Sequence, residues 1–229
     1  MTVGWEREAP DWIAWARAPG HDAYWTYRDA FFELVPPPGR STLEIGCGEG
    51  RVCHDLAERG HRVVGLEPSP TLRAAAAEAD PGGEYVDGTA EALPFSDVTF
   101  DLVVAYNSLM DVEDMPQAVR EAARVLGPPG RFCMCVTHPL ADAGRFESRD
   151  PDARFVVRGS CLESAVYEET FERDGLRMTF RSRTYPLGGY ARALEGAGFL
   201  IEALREPAAA DGRWSRVPGF LMLRAVKPA

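Results

Sequence analysis

Short apolar-rich runs alternate along most of the chain with stretches in which apolar residues return every three or four positions. Runs at 41–45, 62–66, 84–86, 100–105 and 132–137 read as strands, the fourth of them apolar apart from Asp101. Between them, 51–59, 71–78 and 115–126 read as helices with one packed face, as at Val52, Leu56 and Ala57. Glycine and proline punctuate the change of period at Gly60-His61, Pro68-Ser69-Pro70, Pro81-Gly82-Gly83 and Gly127-Pro128-Pro129-Gly130. Strands alternating with helices predict an α/β, Rossmann-like, doubly wound sheet that is mostly parallel and covered on both faces.

The rhythm differs at the two flanks. Residues 1–40 are rich in aromatics: Trp5, Trp12, Trp15, Tyr24, Trp25, Tyr27, Phe31 and Phe32. Pro10-Asp11 is expected to open a short helix that Pro19-Gly20 breaks, and Asp22 to cap a second helix running to about residue 35. Such aromatic density suits either core or an N-terminal helical lid. Tyr24 and Trp25 fall on different helix faces, so only part of the set can line a pocket. Residues 140–184 are polar, with a run at 154–157 and runs at 167–171 and 176–180 flanking Asp174-Gly175, a hairpin signal. They predict an inserted β cap. A helix at 190–198, preceded by Gly188-Gly189, and strands at 200–204 and 220–226 complete a seven-stranded sheet whose last strand is expected to be antiparallel. The expected organisation is a single domain over 1–229: lid 1–40, cofactor-binding core 41–139, cap 140–184, and C-terminal helix and strands 185–229.

Composition narrows the function classes. The chain has 229 residues, 45% of them hydrophobic, which suffices for one α/β domain with a modest cap. No run approaches the roughly 18 apolar residues of a membrane span, and the first residues lack a signal-peptide pattern, so a cytoplasmic protein is expected. The formal charge is -10 and the one lysine is Lys227, with arginines scattered. That balance argues against long phosphate backbones as partners and favours a small-molecule substrate. Of five cysteines none forms a C-x-x-C pair, and Cys133 and Cys135 alternate within a strand as buried thiols. No zinc spacing exists and no metal is expected. Oligomeric state is left open.

The candidate chemistry begins at Leu43-Glu44-Ile45-Gly46-Cys47-Gly48-Glu49-Gly50. Strand, tight glycine turn and helix in this order make a nucleotide-cofactor cradle. A dinucleotide site asks for G-x-G-x-x-G, and here the third glycine comes one residue early. A phosphate loop asks for Gly-Lys-Ser/Thr, which is absent. A purely structural turn is a further reading. Glu67 closes the second strand some twenty residues later, where a carboxylate accepts from both ribose hydroxyls of NAD and S-adenosylmethionine alike. His138 follows the fifth strand at the carboxyl edge of the sheet; it reads either as a catalytic general base or as a loop histidine. His21 is a weaker candidate near the lid, and His54 and His61 read as structural or exposed.

The pattern Glu-x-Gly-Cys-Gly-x-Gly at 44–50 resembles motif I of the class I S-adenosylmethionine-dependent methyltransferases. Three further segments, in consecutive order, resemble the small-molecule type related to ubiquinone and menaquinone biosynthesis enzymes. They are Glu67-Pro68-Ser69, then Thr89-Ala90-Glu91-Ala92-Leu93-Pro94-Phe95 followed by Phe100-Asp101, and Arg124-Val125-Leu126-Gly127-Pro128-Pro129-Gly130-Arg131. The resemblance implies S-adenosylmethionine as cofactor. Glu44, Gly46, Cys47 and Gly48 would surround its methionine portion, Glu67 its ribose, and Pro68, Ser69, Gly88, Thr89 and Ala90 its adenine. Tyr106 and Asn107 would lie near the sulfonium. The family's usual Asp is replaced by Thr89, with Asp87 nearby, and its frequent His pair by Met110 and Asp111. Tyr24, Trp25, Asp111 and Tyr185 are the substrate candidates. The implied activity is methyl transfer to O or N, less readily C, of a small, partly aromatic or apolar molecule. Alternatives are a binder of the same cofactor with a non-methylating role such as cyclisation, a tRNA or protein methyltransferase, and, least favoured, an NAD-dependent dehydrogenase.

Overall fold

The computed structural model describes residues 2–210 and 212–229. A first helix, α1 (Thr2–Arg17), precedes α2 (Tyr24–Phe32), and then β1 (Thr42–Ile45), α3 (Arg51–Glu58), β2 (Val63–Leu66), α4 (Pro70–Ala79), β3 (Glu84–Val86), β4 (Phe100–Tyr106), α5 (Met115–Val125) and β5 (Leu126–Thr137) build the alternating block. A short α6 (Pro139–Asp142) leads into a ribbon of β6 (Gly144–Phe146) and β7 (Phe155–Val157), then a hairpin of β8 (Ala165–Arg173) and β9 (Leu176–Thr184). The chain returns through α7 (Leu187–Gly196), β10 (Leu200–Arg205) and β11 (Phe220–Val226).

Seven strands form one sheet in the order β10-β11-β5-β4-β1-β2-β3. The pairs from β3 to β5 are parallel, and β11 runs antiparallel to both β5 and β10. Period-two alternation divides the sheet between two cores. Val103, Ala105, Phe132, Met134 and Val136 pack with α5 and α7, whereas Leu102, Val104, Tyr106, Cys133 and Cys135 pack with α2 and α3. The expected buried thiols at Cys133 and Cys135 are fully buried. No helix among the described residues is long and apolar enough to cross a membrane.

Several local expectations need correction. The first helix does not open at Pro10 but begins at Thr2 and runs through that proline. Pro10 removes one backbone hydrogen bond, yet Ala9, Trp15 and Ala16 are buried on this helix and Trp12 contacts Phe180 of β9, so packing outweighs the local break. The final helix starts at Leu187, taking Gly188 and Gly189 into its first turn, where the amide hydrogens have no helical partner in any case. Both α6 and β6 went unforeseen: each is only three or four residues long, too short for a period to register.

Candidate active site

The chain leaves β1 toward β2 and β3 on one side and returns to β4 on the other, which makes the carboxyl ends of β1 and β4 the switch point of the sheet. The glycine turn follows β1 there. Gly46 and Cys47 donate their backbone N–H groups to Leu66 O at 2.8 and 3.0 Å. Gly46 has φ +71°, and a Cβ on it would stand 2.5 Å from Ser108 Cβ. Ser108, just beyond β4, in turn donates its hydroxyl to Ile45 O at 2.6 Å. Only a residue without a side chain lets these two strand ends approach so closely. Asn107 beside it, a non-glycine residue at φ 52°, is held in the left-handed region with its N–H donating to Cys135 O at 2.8 Å.

One cavity of about 970 Å³ opens from this turn toward the cap. Glu44, Gly46, Cys47 and Gly48 line it from the first strand end, Glu67 and Pro68 from the second. Thr89 and Ala90 line it beyond β3, and Tyr106 and Asn107 beyond β4. Asp111 lines it as well. The remaining candidates lie elsewhere. Ser69 caps α4, accepting from Leu72 N–H at 3.2 Å and donating to Glu6. Gly88 packs on Leu66 and Pro94. Asp87, the alternative to Thr89, is exposed and paired with Arg73 at 2.9 Å. Tyr24 is a fully buried core residue whose hydroxyl donates to Asp55, Trp25 is half exposed beside Arg28, and Tyr185 packs on Tyr190.

His138 is the N-cap of α6, outside the cavity wall. Leu140 N–H donates to its Nδ1 at 3.0 Å, which leaves the proton on Nε2, 2.8 Å from Glu206 Oε1. Both ring nitrogens are therefore engaged in a loop contact, and the geometry does not bring this imidazole to the cradle as a base.

The sequence suggested a lid and a cap but not the contact that joins them. Trp12 and Trp15 of α1 meet Phe180 of β9 edge-on at 6.0 and 6.4 Å, and Trp5 meets Trp12 at 5.6 Å. The helix and the cap hairpin thus close over the glycine turn together. The 5, 12, 15 spacing of the tryptophans is helical and could have revealed one shared face, had Pro10 not been read as a start. The Trp12 indole N–H donates to Glu49 Oε2 at 2.9 Å, and the Arg51 guanidinium lies 5.0 Å from the Trp12 ring.

The electrostatics of the cradle are acidic. Burial pushes the Glu44 carboxyl up to about 8, against a hydrogen bond from Cys53 that acts the other way. Among the described residues its Oε2 is buried without a partner, as is Asn107 Oδ1. Burial also raises Glu67, whose two oxygens accept from Gly48 N–H at 3.0 Å and Ser69 N–H at 2.9 Å. These unpartnered acceptors, grouped with the Glu49 and Glu67 carboxyls around one turn, disfavour a pyrophosphate and suit a ligand that brings cations and hydroxyl donors. S-Adenosylmethionine fits that donor set through its ammonium, sulfonium and ribose.

Residues 43–134 match the family model described as a methyltransferase domain. Over 178 residues the chain is 30% identical to a probable S-adenosylmethionine-dependent methyltransferase of Mycolicibacterium smegmatis, spanning 77% of this chain and 67% of that protein. The chain belongs to the S-adenosylmethionine-dependent methyltransferases. It is also 41% identical over 105 residues to the ubiquinone biosynthesis O-methyltransferase of Methylobacterium sp. (strain 4-46), covering 43% of this chain and 42% of that one. The chain thus spans about two fifths of the length of the ubiquinone-biosynthesis relatives it matches. A solved S-adenosylmethionine-dependent methyltransferase from Mesorhizobium loti superposes with a TM-score of 0.72 at 24% identity, over 90% of this chain and 98% of that one. That likeness shows a shared fold over nine tenths of this chain.

Proposed function

We propose that this methyltransferase transfers a methyl group from S-adenosylmethionine to oxygen or nitrogen of a small, partly aromatic or apolar molecule. The observation that carries this reading is the cavity itself: the acidic glycine turn opens into a chamber roofed by aromatic rings. Glu67 takes the ribose hydroxyls, and Thr89 and Ala90 flank the adenine edge. Glu44 and Asn107 supply acceptors to the methionine end. When bound, the cofactor supplies a methyl group already activated on a sulfonium leaving group.

The chain's own contribution is alignment and exclusion of water. The switch-point turn is rigid, because Gly46 and Ser108 interlock. The roof of α1 and β9 keeps solvent from the space between donor and acceptor, so that a nucleophile entering it is held for in-line attack. Incubation of the chain with methyl-labelled S-adenosylmethionine and a panel of phenols, catechols and amines tests the reading. A product heavier by one methyl group, formed together with S-adenosylhomocysteine, is the expected result. Cofactor binding with product lacking the label contradicts methyl transfer and points to a non-methylating use of the same cradle.

A further inference from the structure

The cap side of the cavity carries a charge pattern that binding of the cofactor leaves unused. Asp111 belongs to the turn after β4, its N–H donating to Ser108 O at 3.0 Å, and Ser108 is the residue against which Gly46 packs. Asp111 therefore stands within one turn of the glycine loop. From the cap, Ser182 Oγ donates to Asp111 Oδ1 at 2.5 Å, and Arg183 N–H donates to Met110 O at 2.8 Å, pinning β9 to this turn at two points. Among the described residues, no Lys, Arg or His nitrogen lies within 4.0 Å of the Asp111 carboxyl. Asp142 lines the same cavity and has Thr137 Oγ1 as its donor, at 3.0 Å.

Three of the five arginines that line the cavity are already engaged. Arg51 is held by Asp22 and Glu49 at 3.1 and 3.3 Å, Arg145 by Glu169 at 2.6 Å, and Arg213 donates to Ser148 O at 3.0 Å. Arg183 of β9 and Arg149 at the exposed rim also line the cavity, and neither forms an ion pair with the Asp111 carboxyl. Indole and phenyl rings complete the wall, and Trp12 already accommodates the Arg51 guanidinium. Carboxylates without counter-ions among aromatic rings make a receptor for cations.

We propose that the methyl acceptor is an amine on an apolar or aromatic body, drawn in as its ammonium form by the Asp111 carboxylate, which then takes its proton. The proposal rests on the methyltransferase reading and narrows its acceptor atom to nitrogen. One N–H proton passes to the carboxylate, and the nitrogen lone pair so freed forms the N–CH3 bond. The electron pair of the breaking S–CH3 bond stays on sulfur, leaving the neutral thioether of S-adenosylhomocysteine, and the carboxylic acid returns its proton to water. Desolvation pushes Asp111 up to about 7, with hydrogen bonds from Ser182 and Trp5 opposing, so both of its forms are accessible near neutral pH.

The test is a pair of calorimetric titrations. The first measures S-adenosylhomocysteine alone. The second, on protein saturated with it, compares benzylamine, phenethylamine and cyclohexylmethylamine with their alcohol and carboxylate counterparts. The amines are expected to bind at least about tenfold more tightly. Asp111→Asn is expected to lose that preference while keeping its S-adenosylhomocysteine affinity, and Ser182→Ala, which keeps the charge, to retain the preference. Alcohols or carboxylates binding as well as the amines overturn the proposal. An unchanged preference in Asp111→Asn overturns the role of this carboxylate. A flat first titration instead overturns the cofactor reading beneath both, so the two failures are read separately.

Discussion

At Gly46 two demands meet in one residue: a positive φ and a gap 2.5 Å wide between an added Cβ and Ser108. Left-handed backbone costs an ordinary residue about 1–2 kcal/mol, and the clash adds to it. Gly46→Ala should therefore lower stability by about 2–4 kcal/mol in thermal or denaturant unfolding and abolish S-adenosylmethionine binding. Gly4→Ala is the matched control: it sits in α1 with nothing within 4 Å of the added Cβ. It should be neutral or stabilise by roughly 0.5–1 kcal/mol.

Glu44 carries a second prediction, at the same scale. Its folded carboxyl lies near 8 against an ordinary value of 4.5, so the folded form holds its proton more tightly than the unfolded one. That contribution to stability is complete below the unfolded value and is lost as pH rises through the folded one. Glu44→Gln should accordingly unfold at a higher temperature than the parent above about pH 8, while binding the cofactor more weakly. Binding of a cationic ligand should ionise Glu44, releasing up to about one proton near pH 7. Calorimetry in buffers of different ionisation enthalpy detects that release, and Glu44→Gln should abolish it.

Among elements, α1 is tied to the core by its polar face as well as by its tryptophans. Glu6 accepts from Ser69 Oγ, and from Thr71 Oγ1 at 2.6 Å, at the start of α4. Ser69→Ala removes both the helix cap and this tie. A loss of about 1–2 kcal/mol in stability is expected, with S-adenosylhomocysteine affinity nearly unchanged, because Ser69 does not line the cavity. A large loss of affinity would return Ser69 to the adenine site. The sheet strands were legible because each is a short apolar-rich run bounded by glycine, proline or a helical period. The cofactor turn was legible because glycine, carboxylate and strand stand adjacent in sequence. The contact between α1 and β9 was not, since it joins segments more than 150 residues apart. Nor could the primary structure separate Tyr27, which lines the cavity, from Tyr24, which bonds Asp55 in the core. His138 misled for a related reason: its place after β5 matches a ligand edge, but Leu140 and Glu206 claim both its nitrogens.

Over the whole molecule, the formal charge of -10 and the acidic cradle act in one direction, raising the local concentration of cations at the cavity mouth. The same field disfavours phosphates, which separates the two cofactors that a carboxylate at the end of β2 serves equally well. Trp5, Trp12, Trp15 and Trp214 line the cavity, so its occupation should also register in tryptophan fluorescence. The central claim is that the turn at 43–50 is an S-adenosylmethionine cradle. Isothermal titration of the protein with S-adenosylmethionine, S-adenosylhomocysteine and NAD tests it most directly. Saturable binding of both sulfur compounds, with no heat from NAD, is the predicted result; binding of NAD, or of neither sulfur compound, would contradict it.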